Sequence, residues 1–310
     1  MKKALMDMLI CPVCLPQEKD LMLHAQQISN DDVIQGSLTC SSCGEVFPIR
    51  DGVADLDPGR VQRPWSKYEQ PSVVSSYLWS HYGDILQDQM ASTAYDQWAR
   101  LMHAHPGMCL DIGCAVGRFS FEMAQKCDFV LGLDNSAAFV QTARELIVHG
   151  HKTLQLPDEG RLTLTSHLQL PETWSRGNLE FIVADVQALP VRSDLFSSAA
   201  SLNMVDKVPH PLTHLRESNR VLAPRHAQFL LSDPFSWSDQ ASREEDWLGG
   251  QESGPFAGYG LHNISAMLQD PEGPLVPQWA VQDQGHVWWK IRTHSNHYEL
   301  IRSCWVKADR

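Results

Sequence analysis

The 310-residue chain predicts an α/β protein: a mostly parallel sheet with helices on both faces, behind a small metal-bound ribbon. Three observations carry this. Two C-x-x-C pairs lie near the N-terminus. From about Met108 onward, strand-like and helix-like stretches alternate. The first of these strands runs into a glycine-bracketed turn, and the next two end in acids.

The ribbon comes first in the chain. Cys11-Pro12-Val13-Cys14 and Cys40-Ser41-Ser42-Cys43 offer four thiolates, and the 25 residues between the pairs suffice for a hairpin. Two such knuckles give the tetrahedral sulfur set that zinc prefers, so Cys11, Cys14, Cys40 and Cys43 are expected to hold one structural Zn2+. A redox C-x-x-C needs only one pair, opening a thioredoxin-like helix, and no such helix is predicted. The other four cysteines, Cys109, Cys114, Cys127 and Cys304, are scattered singly, as in a reducing compartment. The expected organisation is a ribbon over 1–58, a linker over 59–71 and the α/β domain over 72–310.

Composition limits the function. Hydrophobic residues make up 43% of the chain, enough for a core, and no run of about 18 apolar residues suggests a membrane span. The basic start lacks a signal peptide's apolar stretch, so a cytoplasmic protein is expected. The formal net charge is -12, with no Lys/Arg-rich run. That balance disfavours nucleic acid and favours a small-molecule substrate.

In the α/β domain, 108–112 reads as the first strand, 113–117 as a tight turn and 118–126 as an amphipathic helix. Phe129 to Asp134 is the second strand, and Ser136 is placed to cap a helix running to about Val148. An insertion over 150–178 precedes the third strand, which ends at Val183-Ala184-Asp185-Val186. Leu195 to Leu202 and Ala227 to Leu231 are the fourth and fifth. Val287–Arg292 and Tyr298–Val306 alternate around His294-Ser295-Asn296, as in a closing hairpin.

The turn discriminates between cofactors. A dinucleotide loop requires G-x-G-x-x-G, and Ala115 occupies its second glycine position. No G-K-[ST] phosphate loop is present either. What remains, Asp111-x-Gly113-x-x-x-Gly117 with an acid at the end of strand two, resembles the fingerprint of the class I S-adenosylmethionine-dependent methyltransferases, which implies that cofactor and the roles that follow. S-adenosylmethionine has no phosphate, so its loop need not form an anion nest. The candidate cofactor residues are Asp111, Gly113, Cys114, Gly117, Asp134, Asn135, Asp185, Val186 and Asn203. Among them Asp134 suits the ribose hydroxyls and Asp185 the adenine amino group.

Two resemblances follow from these residues. Leu9 to Cys14 and Cys40 to Val53 resemble the Trm112-type zinc ribbons, which often accompany methyltransferases. The segment from Asp111 to Asp134 resembles the class I S-adenosylmethionine-dependent methyltransferases, which implies a Rossmann-like seven-stranded sheet with its last strand antiparallel.

Within that class, three segments resemble the methyltransferase domain of ovothiol biosynthesis. They are Val73 to Gly83, Leu202 to Pro211, and Asp233 to Trp237 with Asp246 to Gly250. The match is partial: Trp79, Lys207 and Asp233 replace an expected aromatic, Arg and Ser. It implies a transferase that methylates a ring nitrogen of 5-thiohistidine to give ovothiol A. It points to Asp206, Asn203 and Tyr82 as catalytic candidates, and to His81, Tyr82, Asn203, Phe235 and Trp237 around the substrate.

Blander roles compete. Asp206 suits a helix N-cap, Tyr82 and His81 suit a packed lid, and Trp237 suits the core. His210 and His214 stand four apart but lack a third ligand, so a surface role is expected. The alternative function is methylation of another small metabolite, or of an RNA or protein nucleophile recognised through the ribbon. A non-catalytic cofactor-binding core is a third reading, which the intact fingerprint disfavours.

Overall fold

A computed structural model describes residues 1–60 and 66–310. The N-terminal part is an antiparallel sheet in the order β1-β2-β3-β4, formed by β1 (Leu21–Ser29), β2 (Asp32–Cys40), β3 (Val46–Arg50) and β4 (Val53–Ala54). Asp51-Gly52 turns β3 into β4 with both residues at positive φ, 49° and 79°. That is the backbone an Asp-Gly hairpin turn supplies.

Residues 61–65 of the expected linker lie outside the described residues. Of the rest, Lys67–Glu69 form a single 3-10 turn capped by Ser66 Oγ, which accepts from Tyr68 N at 3.3 Å. Next come α1 (Pro71–Tyr82), α2 (Ala94–Leu101), β5 (Met108–Ile112), α3 (Arg118–Met123), β6 (Phe129–Asp134) and α4 (Ala137–His149). Ser136 caps α4 as expected, its Oγ accepting from Phe139 N at 3.2 Å. The Glu69 carboxylate accepts from Ala137 N and Ala138 N at the same helix end.

The insertion is a two-stranded hairpin, β7 (His151–Pro157) with β8 (Thr163–Gln169). Then follow β9 (Leu179–Val183), β10 (Ser198–Leu202), α5 (Pro211–Val221), β11 (Gln228–Asp233), α6 (Gly260–Gln269), β12 (Ala280–His294) and β13 (His297–Asp309). β10 starts later than expected because Leu195 N and Phe196 N donate to Val221 O rather than to a neighbouring strand.

The main sheet has seven strands in the order β12-β13-β11-β10-β5-β6-β9. β5, β6, β9, β10 and β11 run parallel, and β13 is antiparallel to β11. This is the expected Rossmann-like class I sheet. β9 and β10 are buried along their whole length, as strands covered on both faces must be. Leu110, Leu131 and Ile182 face one layer, with α5 and α6. Cys109, Val130 and Phe181 face the other, with α1 to α4. Among the described residues no helix is long and apolar enough to cross a membrane.

The N-terminal sheet is built onto this core. Leu56 N donates to Val183 O at 2.8 Å, so the segment after β4 continues the sheet beyond edge strand β9. Ile10 N donates to Pro190 O, and Arg192 N to Met8 O. Leu5, Leu9, Leu38 and Phe47 share one apolar cluster with Ile182, Val191 and Val221. At its margin, fully buried Glu180 accepts from Arg144 Nη1 at 2.7 and 2.8 Å and from Lys2 N at 2.8 Å. Arg144 also pairs with Asp32 of β2.

Removing one member of a buried ion pair strands the other, at a cost of about 3 kcal/mol or more. Glu180→Gln should therefore lower the unfolding free energy by about 3 kcal/mol in urea titration. A loss below roughly 1 kcal/mol, the level of an exposed pair, would show that the network does not stabilise the junction.

Candidate active site

The C-terminal ends of β5, β6, β9 and β10 open onto one cavity of about 550 Å³. Gly113 follows β5 at φ 82°, and a Cβ there would lie 2.3 Å from Met204 Sδ. The same turn needs Gly117 at φ 85°, where a Cβ would meet the Phe181 ring at 2.5 Å. Gly113 N and Cys114 N both donate to Leu133 O, which ties the turn to β6.

Asp134 ends β6 and lines the cavity. Its Oδ2 accepts from Ala115 N at 3.0 Å and its Oδ1 from Ser136 N at 2.8 Å. Burial pushes this carboxyl up to about 6, against the pull of those two donors. Asp185 lies just past β9, its Oδ1 accepting from Gln187 N at 2.9 Å. Asn203 follows β10 in a left-handed conformation, φ 60°, and its Oδ1 accepts from Ser303 Oγ of β13 at 2.5 Å. The structure brings Gly113, Asp134, Asn135, Asp185, Val186 and Asn203 together around the cavity.

Other expected site residues sit behind its walls. Asp111 is buried and accepts from Ser120 Oγ at 2.5 Å, holding α3 beneath the turn. Cys114 is buried, and burial raises its thiol well above the usual range. Gly117 sets the backbone turn and packs on Phe181 rather than lining the cavity. Tyr82 is fully buried and donates to Val116 O at 2.9 Å, so its hydroxyl is spent on the glycine turn. His81 lies one layer back, against Tyr95.

Asp206 is not a lining residue either. Its Oδ2 accepts from Ser236 N at 2.7 Å and from Lys207 Nζ at 3.0 Å, which staples the loop after β10 to the loop after β11. Nor is it a helix cap, since α5 begins after His210. Burial, reinforced by Asp206 nearby, raises the Asp233 carboxyl well above its usual range. Phe235 packs against Gly260, and Trp237 against Gly250 and the Trp247 ring. His210 is exposed as expected. His214 is not: it is buried, with Nε2 2.8 Å from Ser201 Oγ.

Several lining residues were not expected. Tyr68, Tyr77, Tyr95, Phe139 and Trp289 form an aromatic wall, with Tyr77 and Phe139 centroids 4.7 Å apart. Among the described residues, Lys67, Lys207 and Glu299 are the cavity's charged side chains besides Asp134 and Asp185. Tyr77 was legible, lying four residues before His81 on the same helix face. Trp289, Ile291, Glu299 and Ile301 alternate on one face of β12 and β13, a period-2 signal that does not say what the face covers.

At the other end of the chain the four ribbon cysteines converge. Cys11 and Cys43 sulfurs are 3.7 Å apart, Cys14 and Cys40 sulfurs 3.8 Å, and all four lie within 4.8 Å of one another.

Family models match both parts: residues 2–52 match the Trm112p-like protein family, and residues 110–227 match a methyltransferase domain family. Residues 110–227 thus form a methyltransferase domain, and residues 2–52 a Trm112-like N-terminal module. It is 22% identical over 175 residues to YqeM of Bacillus subtilis (strain 168), named as a methyltransferase. That match covers 54% of this chain and 64% of the relative, so the chain spans less than two thirds of the relative's length.

Among solved structures, a complex of the Haloferax volcanii Trm112 methyltransferase activator with a methyltransferase aligns at 16% identity and TM-score 0.43, over 72% of this chain and 80% of that one. A Methanosarcina mazei S-adenosylmethionine-dependent methyltransferase aligns at 17% and 0.42, over 68% and 95%. Phosphoethanolamine N-methyltransferase 2 of Haemonchus contortus, complexed with S-adenosylmethionine, aligns at 15% and 0.40, over 61% and 37%.

Asp111 generates a pH prediction. Burial raises its carboxyl to about 7, against the pull of the Ser120 hydrogen bond. An unfolded Asp titrates near 4, so the fold favours the protonated form. The resulting stability is full below about pH 4 and is lost as pH rises through about 7. Asp111→Asn should flatten this decline in denaturant titrations between about pH 4 and 8. An unchanged slope would place the pH dependence elsewhere.

Proposed function

We propose that this enzyme transfers the methyl group of S-adenosylmethionine to a ring nitrogen of 5-thiohistidine, giving ovothiol A. One observation carries the reading. All three segments of the ovothiol-type resemblance reach the same cavity, through Tyr77, through Asn203, Met204 and Lys207, and through Pro234 and Ser236. The side chains differ from those the resemblance singled out, but the segments meet. A cavity of about 550 Å³ walled by aromatic rings suits small molecules. Among the described residues, none of 1–58 lines it, which disfavours the ribbon as a substrate-recognition element.

Bound S-adenosylmethionine supplies an electrophilic methyl on a sulfonium sulfur. The cavity residues fit it: Asp134 would accept from the ribose hydroxyls and Asp185 from the adenine amino group, while Gly113 lets the turn pass close against Met204, where a side chain would clash. On the acceptor side the work is positioning. The aromatic wall holds the ring flat. Lys207 receives the amino acid's carboxylate and Glu299 its ammonium group, so that nitrogen rather than the more nucleophilic sulfur faces the methyl. The attacking nitrogen uses a free lone pair, and no base is needed at that atom.

The assay is direct. The purified enzyme with S-adenosylmethionine should methylate 5-thiohistidine on nitrogen, as NMR of the product will show, and leave histidine nearly untouched. Polar groups shaped for the sulfur are left unpaired by histidine, and such gaps discriminate strongly. No product from 5-thiohistidine, with turnover of another acceptor, would overturn the substrate.

We also propose one structural zinc on Cys11, Cys14, Cys40 and Cys43. A tetrahedral ion with bonds of about 2.3 Å spaces its sulfurs by about 3.8 Å, and two of the sulfur pairs stand at 3.7 and 3.8 Å. With all four positions taken by protein, the ion has no open site for catalysis. Metal analysis should find about one zinc per chain, and Cys40→Ser should lose both the metal and the ribbon's fold. A metal-free, fully folded protein would refute this.

A further inference from the structure

The hydroxyl of Tyr95 has no part in the cofactor fingerprint, yet Tyr95 lines the cavity and is only 8% exposed. Behind it lies His81, 3% exposed, its ring stacked on Tyr95 with centroids 3.9 Å apart. His81 Nε2 and the Tyr95 oxygen are 2.6 Å apart, and His81 Nδ1 is buried without a partner.

Two proton arrangements fit this contact. In one, Tyr95 donates to Nε2, and the ring's single N–H must sit on Nδ1 as a buried donor facing nothing. In the other, Nε2–H donates to the Tyr95 oxygen, and Nδ1 carries only a bare lone pair. Orphaned N–H groups are the rarer defect in folded proteins, unsatisfied acceptors the commoner one. The Arg118 guanidinium donates to the His81 carbonyl at 3.0 Å, so positive charge stands near this residue. Burial, with Arg118, also keeps His81 neutral, and burial keeps Tyr95 in its hydroxyl form. With its oxygen accepting from His81, Tyr95, a residue that lines the cavity, has its own proton free.

We infer that the Tyr95 hydroxyl, turned by Nε2–H of His81, donates a hydrogen bond to an anionic acceptor on the methyl-accepting substrate, a carboxylate or a thiolate. This rests on the small-molecule reading above and deepens it. Tyr95 is then a substrate-binding residue and His81 the residue that positions it. His81 thus serves the substrate side from one layer back, without touching the substrate.

Two measurements test this. In protein carrying 15N-labelled histidine, long-range proton–nitrogen correlations distinguish the tautomers, and His81→Gln identifies the signal. An Nε2–H tautomer is expected, and an Nδ1–H tautomer overturns the proposal. The second is calorimetric titration of 5-thiohistidine, and of its decarboxylated analogue 5-thiohistamine, into protein saturated with S-adenosylhomocysteine. Tyr95→Phe, checked for an intact fold by circular dichroism, should weaken 5-thiohistidine binding roughly 10- to 150-fold, the range for a hydrogen bond to a charged group. If 5-thiohistamine loses affinity too, the partner is the thiolate; if it does not, the partner is the carboxylate. Unchanged affinity for both in Tyr95→Phe overturns the proposal. If the wild-type protein binds neither compound, the thiohistidine reading fails, while the tautomer result still decides the role of Tyr95.

Discussion

The cavity exists because the chain reverses its direction of travel across the sheet between β5 and β10. From β5 it moves outward through β6 to β9, then returns to lay β10 on the other side of β5. The loops leaving β5 and β10 therefore diverge, and a crevice opens at the strands' C-terminal ends. Gly113 and Met204 are the two lips of that crevice. They approach so closely that a Cβ on Gly113 would lie 2.3 Å from the Met204 sulfur. Asp134 and Asp185 end the next two strands on the outward path, which sets them in a row along one side.

This geometry explains what could be read in advance. Residues fixed by a strand end and a fixed turn are local in sequence, so spacing alone places Gly113, Asp134 and Asp185. The bounds of β5 and β6 fall where the apolar runs begin and end. The acceptor side is different. Tyr95, Trp289 and Glu299 come from α2, β12 and β13 and meet only because the final hairpin folds back over the first helices. No periodicity within one segment reports on that packing.

The residues that moved behind the walls show the complementary error. Asp206, Phe235 and Trp237 lie in loops at strand ends, where ligand contacts usually gather. Yet those loops bind each other first. A carboxylate buried with no solvent access must find donors, and Asp206 finds Ser236 N and Lys207 Nζ. Its effect on the cavity passes through Lys207, which it holds at the rim, and Ser236, which it anchors there. Tyr82 is a parallel case. One residue beyond His81 on α1, it points about 100° away, and it donates to the glycine turn instead of facing the substrate side. Side-chain direction, more than residue type, separates the two roles.

The N-terminal module enters the same chain of constraints. β9 is the outermost parallel strand, yet all five of its residues are buried. An edge strand left open would expose unpaired backbone groups and apolar side chains. The segment after β4 prevents this, with Leu56 N on Val183 O and Asp55 bridged to Val183. The next residue, Ala184, donates its N–H inward to Asp134 O, and Asp185 follows at the cavity. Only one residue, Ala184, thus separates the ribbon's hydrogen bond from an acid at the cavity wall. The buried Glu180 carboxylate, held by Arg144 and Lys2 N, fixes the other end of β9 to the same module. The N-terminal module thus holds β9 at both ends, at Glu180 and at Val183, two positions before Asp185.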